Sequence, residues 1–400
     1  MGEVISGTLG DYVVLQRGTT YKSRLLGLPG PVLLGLSSIA RNGGFRSDSL
    51  RTYGGESPDK LLLRVGDLFV SLKDVTQTGD LLGSVARVPS SVPLGRLTQD
   101  TVKLSLVKDV PTEYLYWILR TEKYRAYCRA HAIGTTNLSL SREDFLNFPI
   151  PSPTAERLRL VRLLDALEDK IAVNERISTT LLSLADSLFK HAVAGLVAGP
   201  ETFGSVAKVH GGGTPRTSET DYWNGDIAWA TPSDVTALSS PYLFATSRTI
   251  TQAGLDSCAS QLYPAGSIFM TSRATIGSFA VPQNPTAVNQ GFIVVIPPRS
   301  EFRWWLFHEM KSRVHEMIGL ANGSTFLELS RKNFRTMQVH LGDPSEIERF
   351  DTQVGPLHSR AVACVKENST LTQLRDTLLP KLMSGELRVR EAEGIVGGAL

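Results

Sequence analysis

The sequence predicts an α+β chain built as a pseudo-twofold internal duplication. Two similar α/β domains are each followed by a long α-helix, and the two helices pair as an antiparallel coiled coil. Three observations predict this. The segment Ala132-Ile133-Gly134-Thr135-Thr136-Asn137-Leu138-Ser139-Leu140-Ser141-Arg142 returns, 189 residues on, as Ala321-Asn322-Gly323-Ser324-Thr325-Phe326-Leu327-Glu328-Leu329-Ser330-Arg331. Each copy passes through a phenylalanine, Phe145 or Phe334, into a proline-opened segment of helical periodicity. The two helical segments keep the same heptad phase. Solenoid units repeat every 20–50 residues or so, so this longer period marks duplicated domains instead.

The first domain, residues 1–151, reads as mixed β with loops. Short apolar runs at Val32–Leu36, Leu61–Val65, Leu68–Leu72 and Val102–Val107 are bounded by Gly, Pro, Asp and Ser, which is strand-and-turn punctuation. Tyr114–Arg129 reads as one helix packed on that sheet. The second domain, residues 198–342, repeats the layout, with strands at Ile227–Ala230, Ser267–Thr271 and Phe292–Ile296 and a matching helix at Trp304–Ile318. Smaller echoes support the pairing. Gly66-Asp67-Leu68-Phe69-Val70-Ser71 resembles Gly266-Ser267-Ile268-Phe269-Met270-Thr271, and Arg17-Gly18-Thr19-Thr20 resembles Gly211-Gly212-Gly213-Thr214. The offset drifts between such segments, which puts insertions in surface loops.

The spacer helices occupy residues 152–197 and 343–388, and 389–400 reads as a flexible tail. In the first, Leu160, Leu164, Leu167, Ile171, Asn174, Ser178, Leu181, Ala185 and Leu188 follow alternating 4,3 spacing. In the second, Phe350, Val354, Leu357, Ala361, Cys364, Asn368, Leu371, Arg375 and Leu378 continue the same phase. Ser178 and Asn368 interrupt the seam at equivalent places, where a polar residue can fix register at a cost in stability. Ser152-Pro153 and Asp343-Pro344, the latter with Glu346 following, read as caps with proline at the first helical position. Helices this long span on the order of 50–65 Å. Neither can bury its seam alone, so the economical solution is mutual pairing. The alternative is two amphipathic helices, each lying on its own domain.

Composition bounds the class. With 42% hydrophobic and 20% charged residues, the chain is an ordinary soluble globular protein. Cys128, Cys258 and Cys364 are odd in number and widely spaced, which points to reduced thiols in a cytoplasmic protein. Met1-Gly2-Glu3 opens no signal peptide, and no apolar run reaches membrane-spanning length, so no membrane association is expected. The net charge of +3 is compatible with nucleic-acid binding only where the cations cluster.

Catalytic signatures are missing. There is no GxxxxGK[ST] and no GxSxG, and the pairs His308-Glu309 and His315-Glu316 do not form HExxH. Seven scattered histidines predict no metal site. Asn147-Phe148-Pro149-Ile150-Pro151 has the wrong order for an adenine-methyltransferase loop and reads as the exit from the first domain. Glu168-Asp169-Lys170 lies on the spacer helix, which argues against a nuclease. No catalytic residue, metal or bound cofactor is therefore expected, and a recognition or adaptor role follows.

The string Leu374-Arg375-Asp376-Thr377-Leu378-Leu379-Pro380-Lys381-Leu382-Met383-Ser384-Gly385-Glu386-Leu387 resembles the end of the second helix in specificity subunits of type I restriction–modification enzymes. Asp165-Ala166-Leu167-Glu168-Asp169-Lys170-Ile171 with Asn174, Gly213-Thr214-Pro215, and Val288-Asn289-Gln290-Gly291-Phe292 are similar to further segments of that family. The resemblance covers essentially the whole chain. The first domain departs from it, with no Gly-Gly-Thr-Pro and with Leu97-Thr98-Gln99 where the second has Val288-Asn289-Gln290.

The resemblance implies a noncatalytic subunit. Each globular domain would be a target recognition domain reading one half of a bipartite target in double-stranded DNA. The helices would set the spacing and dock two methyltransferase subunits. Those partners would use S-adenosylmethionine to methylate adenine N6. Up to two motor-nuclease restriction subunits would add cleavage with ATP and Mg. Antiparallel helices would let two domains face one duplex at sites roughly 10 base pairs apart. Base flipping and chemistry would belong to the methyltransferase, and this chain would supply phosphate grip and base-edge contacts.

Candidate DNA contacts follow from residue chemistry. Arg41, Asn42 and Arg46 flank flexible glycines, and Arg reads guanine and Asn adenine in the major groove. Lys73 and Gln77 follow a strand, as do Arg273 and Thr275 in the second domain, with Arg273 aligned to Lys73. Thr214 and Arg216 sit in a Gly-Pro loop suited to phosphate. Thr135, Thr136, Ser324 and Thr325, in the repeated segment, offer hydroxyls and amides. The alternative for each is a solvated loop charge or a turn-stabilising hydroxyl. Trp223 and Trp229 read as core. Two other classes compete: a coiled-coil protein–protein scaffold without DNA readout, and an enzyme with an unrecognised site.

Overall fold

The computed structural model describes residues 5–76, 78–323 and 327–384. Gln77, Ser324, Thr325, the tail 389–400 and the last residues of the C-terminal string lie outside them. The described chain divides into two compact units, residues 5–170 with 370–384, and residues 171–369.

In the first unit, a four-stranded antiparallel sheet has the order Val13–Arg17, Thr101–Leu106, Leu68–Ser71, Val85–Arg87. A second sheet sets Leu94–Leu97 parallel to Val32–Leu34 and antiparallel to Leu62–Arg64. Leu34, Leu63 and Leu97 from one sheet and Phe69 and Ala86 from the other share one buried cluster. The expected run through Leu36 ends at Leu34, because Ser38 N–H donates to Gly35 O and starts a 3-10 turn at Leu36–Ser38. The expected single helix at Tyr114–Arg129 is two, Thr112–Ile118 and Glu122–Ala130. Thr121 makes the break. Its hydroxyl donates to Ile118 O at 2.8 Å and accepts from Tyr124 N–H at 3.3 Å, so it caps the second helix as the first ends.

In the second unit, the sheet order is Lys208–His210, Phe292–Ile296, Ile268–Thr271, Phe279–Pro282, Tyr242–Leu243, antiparallel except for the last pair. A smaller sheet sets Trp223–Ala230 parallel to Thr286–Val288 and antiparallel to Arg248–Ile250. The order and directions of the first unit's four-stranded sheet thus recur, with Tyr242–Leu243 added at one edge, while the smaller sheets share a parallel pair but differ in which strand is central. The larger sheet is buried on both faces. Ile268, Met270, Ile293 and Val295 face one cluster, and Phe269, Phe292 and Val294 face another. That is why these strands read as continuous apolar runs rather than alternating ones. The expected helix at Trp304–Ile318 is also two, Phe302–Ser312 and Val314–Gly319. At the break, Arg313 uses its guanidinium on Glu309, at 3.0 Å, and on Glu316.

The long helices are Ala155–Ala192 and Pro344–Ser384. The second starts as its sequence implies: the Asp343 carboxylate accepts from Glu346 N–H at 2.9 Å, and the Glu346 carboxylate accepts from Asp343 N–H. The first does not. Thr154, rather than Ser152, caps it, its hydroxyl accepting from Arg157 N–H at 3.3 Å, and helix begins two residues after Pro153. Every seam position from Leu160 to Leu188 and from Phe350 to Leu378 is buried or half-buried. Within the second unit the helices touch directly. Phe189 meets Phe350 with ring centroids 5.6 Å apart, and Asn174 donates to Asn368 at 2.9 Å. Asn368 therefore meets Asn174, not Ser178, whose buried hydroxyl has no partner among the described residues.

In the first unit, Asp165 and Glu168 on the first long helix anchor the short helices. Arg87 bonds both, at 3.1 and 3.4 Å, Arg120 bonds Glu168 at 2.6 Å, and Trp117 donates to Asp165 at 2.7 Å. Glu168 is thus a structural ion-pair partner. Among the described residues no helix is long and apolar enough to cross a membrane.

Candidate nucleic-acid interface

The repeated segment folds the same way in both units. Ile133 and Ser139 pair as an antiparallel bridge, and so do Asn322 and Glu328. Each small hairpin docks on the loop that follows the central strand. Leu138 and Ser139 pair with Asp74 and Lys73, and Glu328 pairs with Arg273. Beyond each hairpin a serine caps a short helix, Ser141 for Arg142–Leu146 and Ser330 for Arg331–Thr336. Among the described residues, the two copies of the repeated segment thus share this bridge, docking contact and serine cap.

The glycine loops meet the same neighbour in each unit. A Cβ at Gly18 would lie 1.9 Å from Thr98 O, and one at Gly212 would lie 2.2 Å from Asn289 O. Only glycine allows backbones this close. Trp229 donates to Gly213 O at 3.1 Å and fixes the second loop from below. Trp223 and Trp229 are core, packed edge to face.

Several predicted contact residues are present but occupied. Arg46 forks onto Asp48, with Nε 3.1 Å from a carboxylate oxygen, and this bond raises its already high pKa. Lys73 pairs with Asp100 at 3.3 Å, and Arg273 with Glu328 at 2.8 Å. Thr214 bonds Gln290. Arg41 is exposed, 3.9 Å from Asp80, and Asn42 sits beside it in the left-handed region at φ 61°. Thr135, Thr136, Arg216 and Thr275 are exposed.

The second unit contains a groove of about 740 Å³ that the sequence motifs only partly locate. Gly211, Gly212, Ser272, Arg273 and Gln290 form one side, and Glu328 to Lys332 with Arg335 form the other. Arg273, Gly212 and Gln290 fall within those motifs. Arg331, Lys332 and Arg335 do not. A signal for them exists, three cations within the five residues 331–335. The Arg331 guanidinium lies against Gly211, where a Cβ would be 2.9 Å from its nearest nitrogen. Arg335 donates to Val209 O. Four cations thus line the groove against one carboxylate. The field is felt nearby: partial burial, followed by Arg335, Lys208 and Arg331, holds the His210 imidazole below its ordinary pKa.

Residues 201–348, which contain this groove, match the family model described as type I restriction modification DNA specificity domain. The match covers 148 of the 400 residues, all in the second half of the chain. Among curated relatives of the chain, the type I restriction enzyme MjaIX specificity subunit of Methanocaldococcus jannaschii is 32% identical over 172 residues, 42% of this chain and 40% of the relative. The type I restriction enzyme HindI specificity subunit of Haemophilus influenzae is 25% identical over 179 residues, 44% of this chain and 39% of the relative. These matches span about two fifths of each relative's length. A solved type I restriction–modification S subunit from M. genitalium shares the fold, with a TM-score of 0.60 and 16% identity over 94% of both chains. Within the matched residues, the basic groove has the chemistry to hold a polyanion. No cluster of His, Cys, Asp or Glu able to hold a metal ion occurs among the described residues.

Proposed function

We propose that this chain is the noncatalytic DNA-recognition subunit of a type I restriction–modification complex. The observation that carries the reading is the family match over the unit whose surface holds a four-cation groove. Recurrence of the larger sheet's strand order and of the docked hairpin in the first unit supports a bipartite target, one part read by each unit. The domain division at 1–151, 152–197, 198–342 and 343–388 is part of this proposal, as is internal duplication. The matched heptad phases and the contacts of Asn174 with Asn368 and of Phe189 with Phe350 support an antiparallel coiled coil.

On this reading the helices set the spacing and dock two methyltransferase subunits in the cytoplasm. S-adenosylmethionine, ATP and Mg act on the partner subunits, with the restriction subunit present where the system cleaves. This chain contributes phosphate contacts that fix register and loop side chains that read base edges.

The test is genome-wide N6-methyladenine mapping in a host expressing this chain with its methyltransferase, against the same host without this chain. The expected result is a split motif, methylated on both strands, that appears only with the chain. A stable copurifying complex that leaves the genome unmethylated would instead favour a scaffold without DNA readout.

A further inference from the structure

We infer that the two units do not share the DNA backbone equally, and that the second carries the larger part of the phosphate grip through Arg331, Lys332 and Arg273. The inference rests on the proposed DNA-recognition role and adds a division of labour to it.

The two surfaces are built alike, so they can be compared position by position. The serine caps Ser141 and Ser330 match, each accepting from a backbone N–H three residues on. Arg142 matches Arg331, and the buried Phe145 matches Phe334. Between them the chemistry inverts: Glu143 and Asp144 stand where the second unit has Lys332 and Asn333. Leu146 stands in place of Arg335. Asp100 follows Gln99 where Gly291 follows Gln290, and it binds the lysine matched to Arg273, at 3.3 Å. Arg17, exposed and bonded to Gln99 O, stands where the second unit has Gly211. In the first unit three cations thus face three carboxylates, and in the second four cations face one.

The cations also differ in availability. Arg142 donates to Leu15 O at 3.1 Å, and Arg335 makes the corresponding bond to the edge-strand carbonyl of Val209. In the second unit that structural duty has moved to Arg335. Arg331 and Lys332 are exposed on the groove and form no ion pair among the described residues. Arg273 is shared with one exposed carboxylate, Glu328, in a contact that a phosphate can replace at little cost. A duplex seated on both units therefore meets a net cationic groove on one and a charge-balanced surface on the other. Each cation that neutralises a phosphate releases counterions and steepens the salt dependence, whatever the base sequence.

The experiment measures affinity of the full chain, alone and with its methyltransferase, for a random-sequence duplex from about 50 to about 200 mM salt. Arg331→Gln with Lys332→Gln should flatten the plot of log K against log salt by about 1.8, at about 0.9 for each phosphate no longer neutralised. Lys73→Gln with Arg142→Gln should flatten it by no more than about 0.9. Glu143→Lys, which installs the second unit's lysine on the first, should steepen it by about 0.9. Unchanged circular dichroism spectra establish that the exposed substitutions leave the fold intact, and Glu143→Lys tests the idea by gain rather than loss. Equal flattening from both double variants, or more from the first unit's, would overturn the division of labour and leave DNA recognition standing. A parent complex with no salt-dependent binding would overturn DNA recognition itself.

Discussion

Arg125 shows what a single residue can do that its position in a sequence hides. It lies on a helix face that reads as peripheral, yet it is fully buried. Its guanidinium donates to Leu82 O at 2.6 Å, Gly79 O at 2.9 Å and Asp80 O at 2.9 Å. Those carbonyls end the loop that begins at Lys73, and Asp74 ties its other limb through Thr76 N–H and Leu81 N–H. Burial holds the Arg125 pKa below its usual value, and the guanidinium is solvated by carbonyl dipoles in place of water. Arg125→Met would fill the space but remove a charged donor from all three carbonyls, of which Gly79 O keeps Leu82 N–H and Asp80 O keeps Asn42 N–H and the Ser84 hydroxyl. The expected loss is about 2–4 kcal/mol of unfolding free energy, read as a lower urea midpoint at unchanged slope. An unchanged midpoint would mean that water replaces the guanidinium. Residue types were legible at this scale, and partners were not. Arg46, Lys73 and Arg273 read as candidate base contacts, but Asp48, Asp100 and Glu328 engage them, two of these across separate elements.

Among elements, the helix seam was the most legible feature, because burial at alternating 4,3 spacing leaves a pattern that no loop imitates. The helix breaks at Thr121 and Arg313 were not legible, since both depend on hydrogen bonds made by the side chain at the break. Least legible was the polar chain that joins four elements of the second unit. Tyr242 lies 2.8 Å from His358 Nδ1, His358 Nε2 lies 3.0 Å from His308 Nε2, and His308 Nδ1 lies 2.9 Å from Asp186, which Lys311 also binds. One proton pattern satisfies every atom: Tyr242 donates to His358, His358 to His308, and His308 to Asp186. Both imidazoles are then neutral, and a further proton on His308 would force His358 to the other tautomer and reverse its bond with Tyr242. Burial, followed by the neighbouring His308, depresses the His358 pKa to about 2, and burial also lowers that of His308. The unfolded imidazoles titrate near 6.5, so the unfolded state takes up protons first and stability falls as pH drops below that value. From about pH 6.5 to about pH 5 His358 alone should remove about 2 kcal/mol. Asp186, whose pKa is lowered chiefly by its bonds to His308 and Lys311 working against burial, acts only below the ordinary carboxylate range and leaves this window untouched. Urea unfolding at both pH values checks it. His358→Phe, which keeps the stack on Trp304, should lower stability but flatten the pH dependence, and an unflattened one would refute the relay.

At the scale of the whole molecule, one short segment that returns after 189 residues pointed to the matching bridges and serine-capped helices of the two units. It could not reveal that the copies differ in charge, because the carboxylates that distinguish the first unit lie outside the repeated segment, Glu143 and Asp144 on the helix that follows it and Asp100 in a separate loop. Duplication with divergence has a consequence for specificity. Each unit has its own sheet, its own hairpin and its own post-strand loop, so removing a base-reading side chain from one leaves the other's loops where they were. On the proposed function, Arg41→Ala or Asn42→Ala should relax or abolish one part of the methylated motif, and Arg273→Ala or Thr275→Ala only the other part. Removing a bidentate hydrogen-bonding pair to a base costs about 1–3 kcal/mol of discrimination, which is about 5- to 150-fold in the methylation rate at sites differing by that base. Methylome sequencing of the four variants reads this directly. Two groups of variants, each degrading its own part of the motif, would assign one part to each unit. A single substitution that degrades both parts would mean that the duplicated surfaces read the duplex jointly, and the two-reader interpretation of the repeat would fail.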